Sequence, residues 1–147
     1  MAERFPTELL ARLAAAHLPV ALPQLTITPI RSGKHNSSFF VYGWDKDLVL
    51  RISPPDDAGF LFYEQRMMAQ EPELHALLRA ETTVPVAEIL DYDDSRALIE
   101  RDYLLMERLP GQSLTDASLT DRQKERVLEQ IGGYLAQMHT LVDDRYG

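Results

Sequence analysis

Apolar residues recur along the first third of this chain with two different spacings. Helical spacing comes first and predicts an amphipathic helix near the N-terminus. The apolar residues of that helix are Leu9, Leu10, Leu13 and Ala16. The spacing then changes to every second residue, as in β-strands. Short turns separate three such segments, which predicts an antiparallel meander with strands near residues 25–30, 38–42 and 47–52.

A longer segment separates these strands from two later ones. Residues 59–80 are expected to be helical, and Pro72 within them predicts a kink or a junction between two helices. Asp56 and Asp57 can cap the start of this segment. The later strands are expected near residues 87–92 and 102–108. One long helix would therefore be inserted between the third and fourth strands.

Residues 103–114 change character midway. They begin as an apolar strand, Pro110 and Gly111 break the pattern, and a linker rich in Ser, Thr and Asp follows. A last helix is expected from about residue 119 to 141, because apolar residues again fall on one face at helical spacing. Those residues are Val127, Ile131, Tyr134, Leu135 and Met138.

This order of elements resembles the N-terminal lobe of a kinase followed by its hinge. The predicted fold class is α+β: a protein-kinase-like N-lobe with a five-stranded antiparallel sheet, a long inserted helix, a hinge and a C-terminal helix. The chain would divide into an N-terminal helix and lead-in, the lobe, the hinge and linker, and the first helix of a second lobe. These parts are residues 1–24, 25–108, 109–118 and 119–147.

Composition narrows the possible partners. The 147 residues carry a formal charge of -8 with no basic run, which argues against nucleic acid and membrane surfaces as partners. Cysteine is absent, so disulfides, thiolate metal sites and thiol catalysis are excluded. The N-terminal residues lack the apolar core of a signal peptide, and no segment is apolar over the length that a bilayer requires. We therefore expect a soluble, cytoplasmic protein.

Arg51 is the most informative charged residue of the predicted strands. Alternation places it with Val49 on the face opposite Leu48, Leu50 and Ile52. An arginine in the middle of an apolar strand needs an anion, because an unpaired buried charge is costly. In a kinase N-lobe this position contacts the α- and β-phosphates, although the usual residue is lysine. The plainer alternative is an arginine at the sheet margin, paired with a surface carboxylate.

Two other features, besides the hinge, would contribute to a nucleotide site in such a lobe. The inserted segment offers Glu64, Glu71 and Glu73 as partners for Arg51, although each could simply be a solvated helix charge. The polar turn after the first strand lies where kinases cover the phosphates, and it is not a Walker A motif, because a strand follows it. Its candidate phosphate-binding residues are Ser32, Gly33, Asn36 and Ser37.

The hinge would recognise a base mainly through its backbone. Glu107 and Leu109 would offer C=O and N–H groups to adenine, and Met106 would flank the pocket. The alternative is an ordinary strand end followed by a linker.

Taken together, these segments resemble the aminoglycoside phosphotransferase/choline kinase-like superfamily. The resemblance rests on residues 32–42, 48–51, 64–78, 83–86, 103–111 and 131–139. It implies phosphorylation of a small hydroxylated molecule with ATP or GTP as the cofactor. It also favours Glu71 as the partner of Arg51, with Glu64 as the alternative.

The chain departs from this family in one respect. The family's His-Gly-Asp catalytic loop, its downstream Asn and its later metal-binding Asp do not occur in these residues. We therefore expect a truncated phosphotransferase without catalytic residues, inactive alone, in which Mg²⁺ would bind only with the second lobe. The acceptor stays open among aminoglycoside, choline, macrolide, sugar and amino alcohol, and so does the choice between ATP and GTP.

Two other kinds of function stay open. The chain could be a non-catalytic nucleotide-binding module, or a protein-interaction module whose hinge-like segment is coincidental. In either case we expect the apolar face of the last helix to be buried against another protein surface. We expect self-association through this C-terminal helix, with the helix exchanged between copies as one form of it.

Overall fold

The computed structural model describes residues 5–31, 36–56 and 66–142, which form helices and one antiparallel sheet. Each predicted strand is present, with bounds within two residues of those expected. The elements in chain order are α1 (Thr7–Ala15), a 3₁₀ turn (Leu22–Gln24), β1 (Thr26–Ile30), β2 (Ser37–Tyr42), β3 (Leu48–Ile52), α2 (Met67–Glu81), β4 (Ile89–Asp93), β5 (Tyr103–Glu107) and α3 (Asp121–Met138).

The five strands lie in the order β1-β2-β3-β5-β4, and every neighbouring pair is antiparallel. The chain enters α2 after β3, returns through β4 at the edge, and places β5 between β3 and β4. This arrangement confirms the predicted α+β class with a five-stranded antiparallel sheet and an inserted helix. Pro29 lies in β1 at the other edge, where a residue without an N–H group is tolerated.

One face of the sheet carries the hydrophobic core. Helical spacing turns Leu10, Leu13 and Ala14 of α1 towards this face, where they are buried. The sheet residues of the same core alternate along their strands, and they are Phe39, Val41, Leu48, Leu50, Ile52, Tyr103 and Leu105. Alternation sends the remaining side chains of β2, β3 and β5 to the opposite side. We call this side the Arg51 face, and its residues are Ser38, Phe40, Tyr42, Val49, Arg51, Leu104 and Met106.

His17 joins the end of α1 to β4 and β5. Its Nδ1 lies 2.5 Å from Asp91 Oδ2, and its Nε2 lies 2.8 Å from the Tyr103 hydroxyl. That hydroxyl donates to Asp93 Oδ2 at 2.9 Å. Burial, and then the bond to Asp93, raise the pKa of Tyr103 above its ordinary value. A polar cluster therefore fastens the helix to the strands at the margin of the core.

The described part of the inserted segment is a helix, as predicted. The described helix α2 spans Met67–Glu81 and runs through Pro72, so two helices do not meet at that proline. Residues 57–65, which include the candidate cap Asp57, lie outside the described ranges. Asp56 is described, and its carboxylate accepts hydrogen bonds from Arg96 at 2.6 and 3.1 Å. The hydrogen bonds from Arg96, and then its positive charge, lower the pKa of Asp56.

The last helix starts with a capping box. Gln123 N–H donates to Thr120 Oγ1 at 3.4 Å, and Thr120 N–H donates to Gln123 Oε1 at 2.9 Å. None of the residues of α3 is buried. Gln137 links the helix to the chain before β4, because its Oε1 accepts from Thr83 N–H at 2.7 Å. Within the described ranges, no helix combines the length and the apolar character that crossing a bilayer requires.

Candidate functional site

Arg51 of β3 and Glu71 of α2 form a salt bridge on the Arg51 face. Arg51 Nη1 donates to Glu71 Oε2, and the two side chains are only 22% and 20% exposed. Glu73 is exposed on the same helix, and Glu64 lies outside the described residues. A partner this well buried differs from the surface carboxylate that the plainer alternative required.

Counting contacts with described residues, the salt bridge to Glu71 leaves N–H groups of the Arg51 guanidinium for a further anion. The guanidinium carries five N–H groups in a planar fork, and the contact with Glu71 engages one terminal nitrogen. Hydrogen bonds between an arginine and an oxyanion are strong, and partial burial strengthens them further. The pair can therefore hold phosphate-like oxygens while Glu71 keeps the arginine fixed in the absence of a ligand.

Two contacts hold α2 at the distance that this pair needs. His75 Nδ1 lies 2.8 Å from the carbonyl oxygen of Ala87, and Arg79 Nη1 donates to the carbonyl oxygen of Val86 at 3.2 Å. Both carbonyls belong to the chain that leads into β4. The helix that carries Glu71 is thus attached to the sheet one and two turns further along.

The polar turn between β1 and β2 is described only at its ends. Ser32 and Gly33 lie outside the described residues. Asn36 and Ser37 are described, and both are half-buried. Ser37 opens β2, and the next position of that strand pairs with Arg51. The turn therefore returns to the sheet beside the arginine.

Two backbone N–H groups at the end of β5 already donate hydrogen bonds to neighbouring segments of the chain. The Glu107 N–H donates to the Glu88 carbonyl at 2.8 Å, and the Arg108 N–H donates to the Asp47 carbonyl at 3.1 Å. A base at this edge would therefore have to use the carbonyl of Glu107 and groups further along. Leu109 is the next residue, and its side chain is exposed.

The carboxylate of Glu107 points into a surface network and not into the site. Its Oε2 accepts from Glu88 N–H at 3.2 Å and lies 3.7 Å from Arg79 Nη1. Lys46 Nζ adds a contact of 3.4 Å to Glu88. Exposed ion pairs of this kind contribute little each. The identity of residue 107 therefore matters for this edge of the lobe more than for any ligand.

Three side chains of the Arg51 face lie in one row across the sheet. Met106 pairs with Val49 in register, and Val49 pairs with Phe40. We call this the Met106–Val49–Phe40 row. It lies between the end of β5 and Arg51.

Arg108 was not among the predicted site residues, yet it lies over this row. Its Cζ is 4.3 Å from the centroid of the Phe40 ring and 5.8 Å from that of Tyr42. Its Nη1 donates to the Tyr42 hydroxyl at 3.1 Å and to Asp47 Oδ2 at 3.2 Å. The alternation of Phe40 and Tyr42 in β2 was the available signal, since it places both rings on the face of Arg51.

Other parts of the described chain do not add to this site. An open cavity of about 860 Å³ lies next to α1, with Leu9, Asp56, Arg96 and Ile99 in its walls, and it includes none of the predicted site residues. Among the residues that the structure describes, no three His, Cys, Asp or Glu side chains are grouped so that they could hold a metal ion.

Comparison with known proteins places this arrangement in a wider group. A solved structure from Ralstonia eutropha, described as a "putative aminoglycoside phosphotransferase", matches with a TM-score of 0.63 and 22% sequence identity. The match covers 94% of this chain and 39% of that chain. It supports the fold.

Two mammalian relatives are proteins named acyl-CoA dehydrogenase family member 11. The Mus musculus protein is 28% identical over 120 residues, which are 80% of this chain and 15% of that protein. The Rattus norvegicus protein is 28% identical over 131 residues, which are 84% of this chain and 16% of that protein. This chain therefore spans less than a fifth of the length of these curated relatives.

The family model described as the phosphotransferase enzyme family (APH) matches residues 26–145. That range begins at β1, contains the Arg51–Glu71 pair and the end of β5, and extends beyond α3. Because the match covers most of the chain and agrees with its fold, this chain belongs to the phosphotransferase enzyme family.

Proposed function

We propose that this chain binds ATP or GTP, as the nucleotide-binding part of a phosphotransferase that acts on a hydroxyl group of a small molecule. The observation that carries the proposal is the half-buried Arg51–Glu71 salt bridge on the Arg51 face. A fixed arginine with unused donors is suited to phosphate oxygens. Membership in the family supports the same reaction class.

The spacing along the sheet suits a nucleotide. Arg51 follows Val49 by two residues in β3, which corresponds to about 7 Å along a strand. A base could lie against the Met106–Val49–Phe40 row, near the Glu107 carbonyl and Leu109, while the phosphates reach Arg51. The turn that ends in Asn36 and Ser37 would then approach the phosphates from the side of β2.

We further propose that these 147 residues bind the nucleotide without transferring its phosphate. Phosphoryl transfer depends on groups that orient the acceptor hydroxyl and on metal ions that neutralise charge. The sequence contains no His-Gly-Asp motif, and the described residues hold no cluster suited to Mg²⁺. Both the acceptor site and the metal site would therefore need residues beyond these. In the whole phosphotransferase, ATP or GTP would supply the phosphoryl group, and Arg51 would hold phosphate oxygens of the nucleotide in place.

Nucleotide-dependent thermal shift tests the proposal. Millimolar ATP, GTP or adenosine should raise the Tm of the wild-type chain, because a ligand that binds only the folded state stabilises it. Arg51→Ala should remove most of the shift with ATP and little of the shift with adenosine, which has no phosphates. Arg122→Ala, on the exposed first turn of α3, is the matched control and should keep both shifts.

A protein-interaction module is the competing function. It is favoured by the exposed apolar side chains of α3, of which Ile131 is 39% and Leu135 is 44% exposed. If the Tm of the wild-type chain does not change with ATP, GTP or adenosine, the result supports this alternative over nucleotide binding.

A further inference from the structure

The guanidinium of Arg108 lies over an aromatic ring of the Arg51 face, that of Phe40. Its Cζ lies 4.3 Å from the centroid of Phe40. A flat base that stacks on the same ring needs its atoms about 3.5–4.0 Å away. The base and the guanidinium therefore cannot both occupy this side of the ring.

Three further contacts hold Arg108 in this position. The Arg108 N–H donates to the Asp47 carbonyl, which fixes the start of the side chain. Nη1 then donates to Asp47 Oδ2 at 3.2 Å and to the Tyr42 hydroxyl at 3.1 Å. The side chain is 34% exposed, so it can swing towards solvent without disturbing the core. The tip of the Arg108 side chain is thus held by two acceptors, while part of the side chain faces solvent.

We propose that Arg108 gates the base-binding surface. The guanidinium lies over the Phe40 ring, and a purine base must displace it in order to reach the Met106–Val49–Phe40 row. The inference rests on the proposed nucleotide binding. Nucleotide affinity is then set partly by the contacts that the arginine gives up, and the gate is independent of the phosphate contacts at Arg51.

Binding measurements on the 147-residue chain test the gate. Arg108→Ala should lower the Kd for adenosine and for ATP alike by about fivefold, because an exposed cation–π contact no longer has to be broken. Asp47→Asn and Tyr42→Phe keep the arginine and loosen its tether, so each should lower the Kd by a smaller factor. Arg122→Ala should leave both Kd values unchanged.

A double-mutant cycle ties the effect to the aromatic ring. Phe40→Leu should raise the Kd, since the base loses its stacking partner. In the Phe40→Leu background, Arg108→Ala should no longer lower the Kd, because the arginine no longer covers a surface that the base uses. The Tm of each variant without nucleotide shows that it is folded.

The outcomes separate the gate from the proposed function. If Arg108→Ala leaves the Kd unchanged or raises it while wild type binds, the gate is overturned and nucleotide binding stands. A larger rise for ATP than for adenosine would assign Arg108 to the phosphates instead. If neither wild type nor any variant binds a nucleoside or nucleotide, the proposed function fails and the gate fails with it.

Discussion

Gly43, in the turn between β2 and β3, shows how much one residue can decide. Its φ is +104°, a conformation that L-residues rarely adopt, and an added Cβ would lie 2.0 Å from the carbonyl oxygen of Gln24. We expect Gly43→Ala to destabilise the fold by about 2 kcal/mol or more, through backbone strain and a clash with backbone. Urea unfolding followed by circular dichroism measures this loss.

The control for that experiment lies in α3. Gly132 has helical surroundings, and an added Cβ would meet nothing within 4 Å. Gly132→Ala should therefore stabilise the protein by about 0.5–1 kcal/mol, since alanine loses less conformational freedom in a helix. Equal effects of the two substitutions would contradict the assigned role of Gly43.

Asp93 makes stability depend on pH at the acid end. Hydrogen bonds from Ser95 and then from Tyr103 lower its pKa below the ordinary value of 3.8. A carboxyl group with a lowered pKa in the folded state stabilises the fold fully above 3.8, and this contribution is lost as the pH falls through the folded-state pKa.

The free energy of unfolding should therefore fall less steeply for Asp93→Asn than for wild type between pH 5 and pH 2, about the range in which carboxylates titrate. Chemical denaturation at a series of pH values measures the two slopes. Parallel slopes for wild type and Asp93→Asn would count against the role of Asp93.

At the scale of elements, α3 is the part whose packing is incomplete within the described chain. Its apolar stripe has no buried member, although the same spacing in α1 gives buried residues at Leu10, Leu13 and Ala14. We expect two copies to associate through this stripe, because a large exposed apolar surface favours burial. Light scattering should show a mass above that of a monomer at high concentration.

Substitution within α3 checks that the stripe is responsible. Ile131→Glu places a charge in the stripe and should shift the protein to monomer, whereas Gln130→Glu adds the same charge beside it and should not. A wild-type chain that stays monomeric at every concentration would contradict association through α3.

Local sequence predicts some elements and contacts of this fold better than others. β2 and β3 were predicted closely, because alternating residues such as Val41 and Leu50 must all turn to one core. The partner of Asp56 within the described residues could not be read from its neighbours in the sequence. The Asp56 carboxylate is bonded to Arg96, which lies 40 residues away and which no local pattern connects to it.

At the scale of the whole molecule, the order of the elements follows from the sequence, since periodicity and turn residues act over a few positions. The site does not follow in the same way. Residue chemistry alone left several glutamates of the inserted segment open as partners for Arg51, and the family resemblance favoured Glu71. The packing of α2 through His75 and Arg79 is what brings Glu71 to Arg51.

Arg108 is the clearest case of a position that needed the tertiary structure. The sequence by itself determined an α+β lobe, an arginine in the third strand and a break after the fifth, because each depends on local residue types. The contact of the Arg108 guanidinium with the Phe40 ring joins residues far apart in the chain, and Tyr42 and Asp47 are additional partners of Arg108. Contacts over such separations depend on strand register and on which side chain reaches furthest, so only the folded chain decides them.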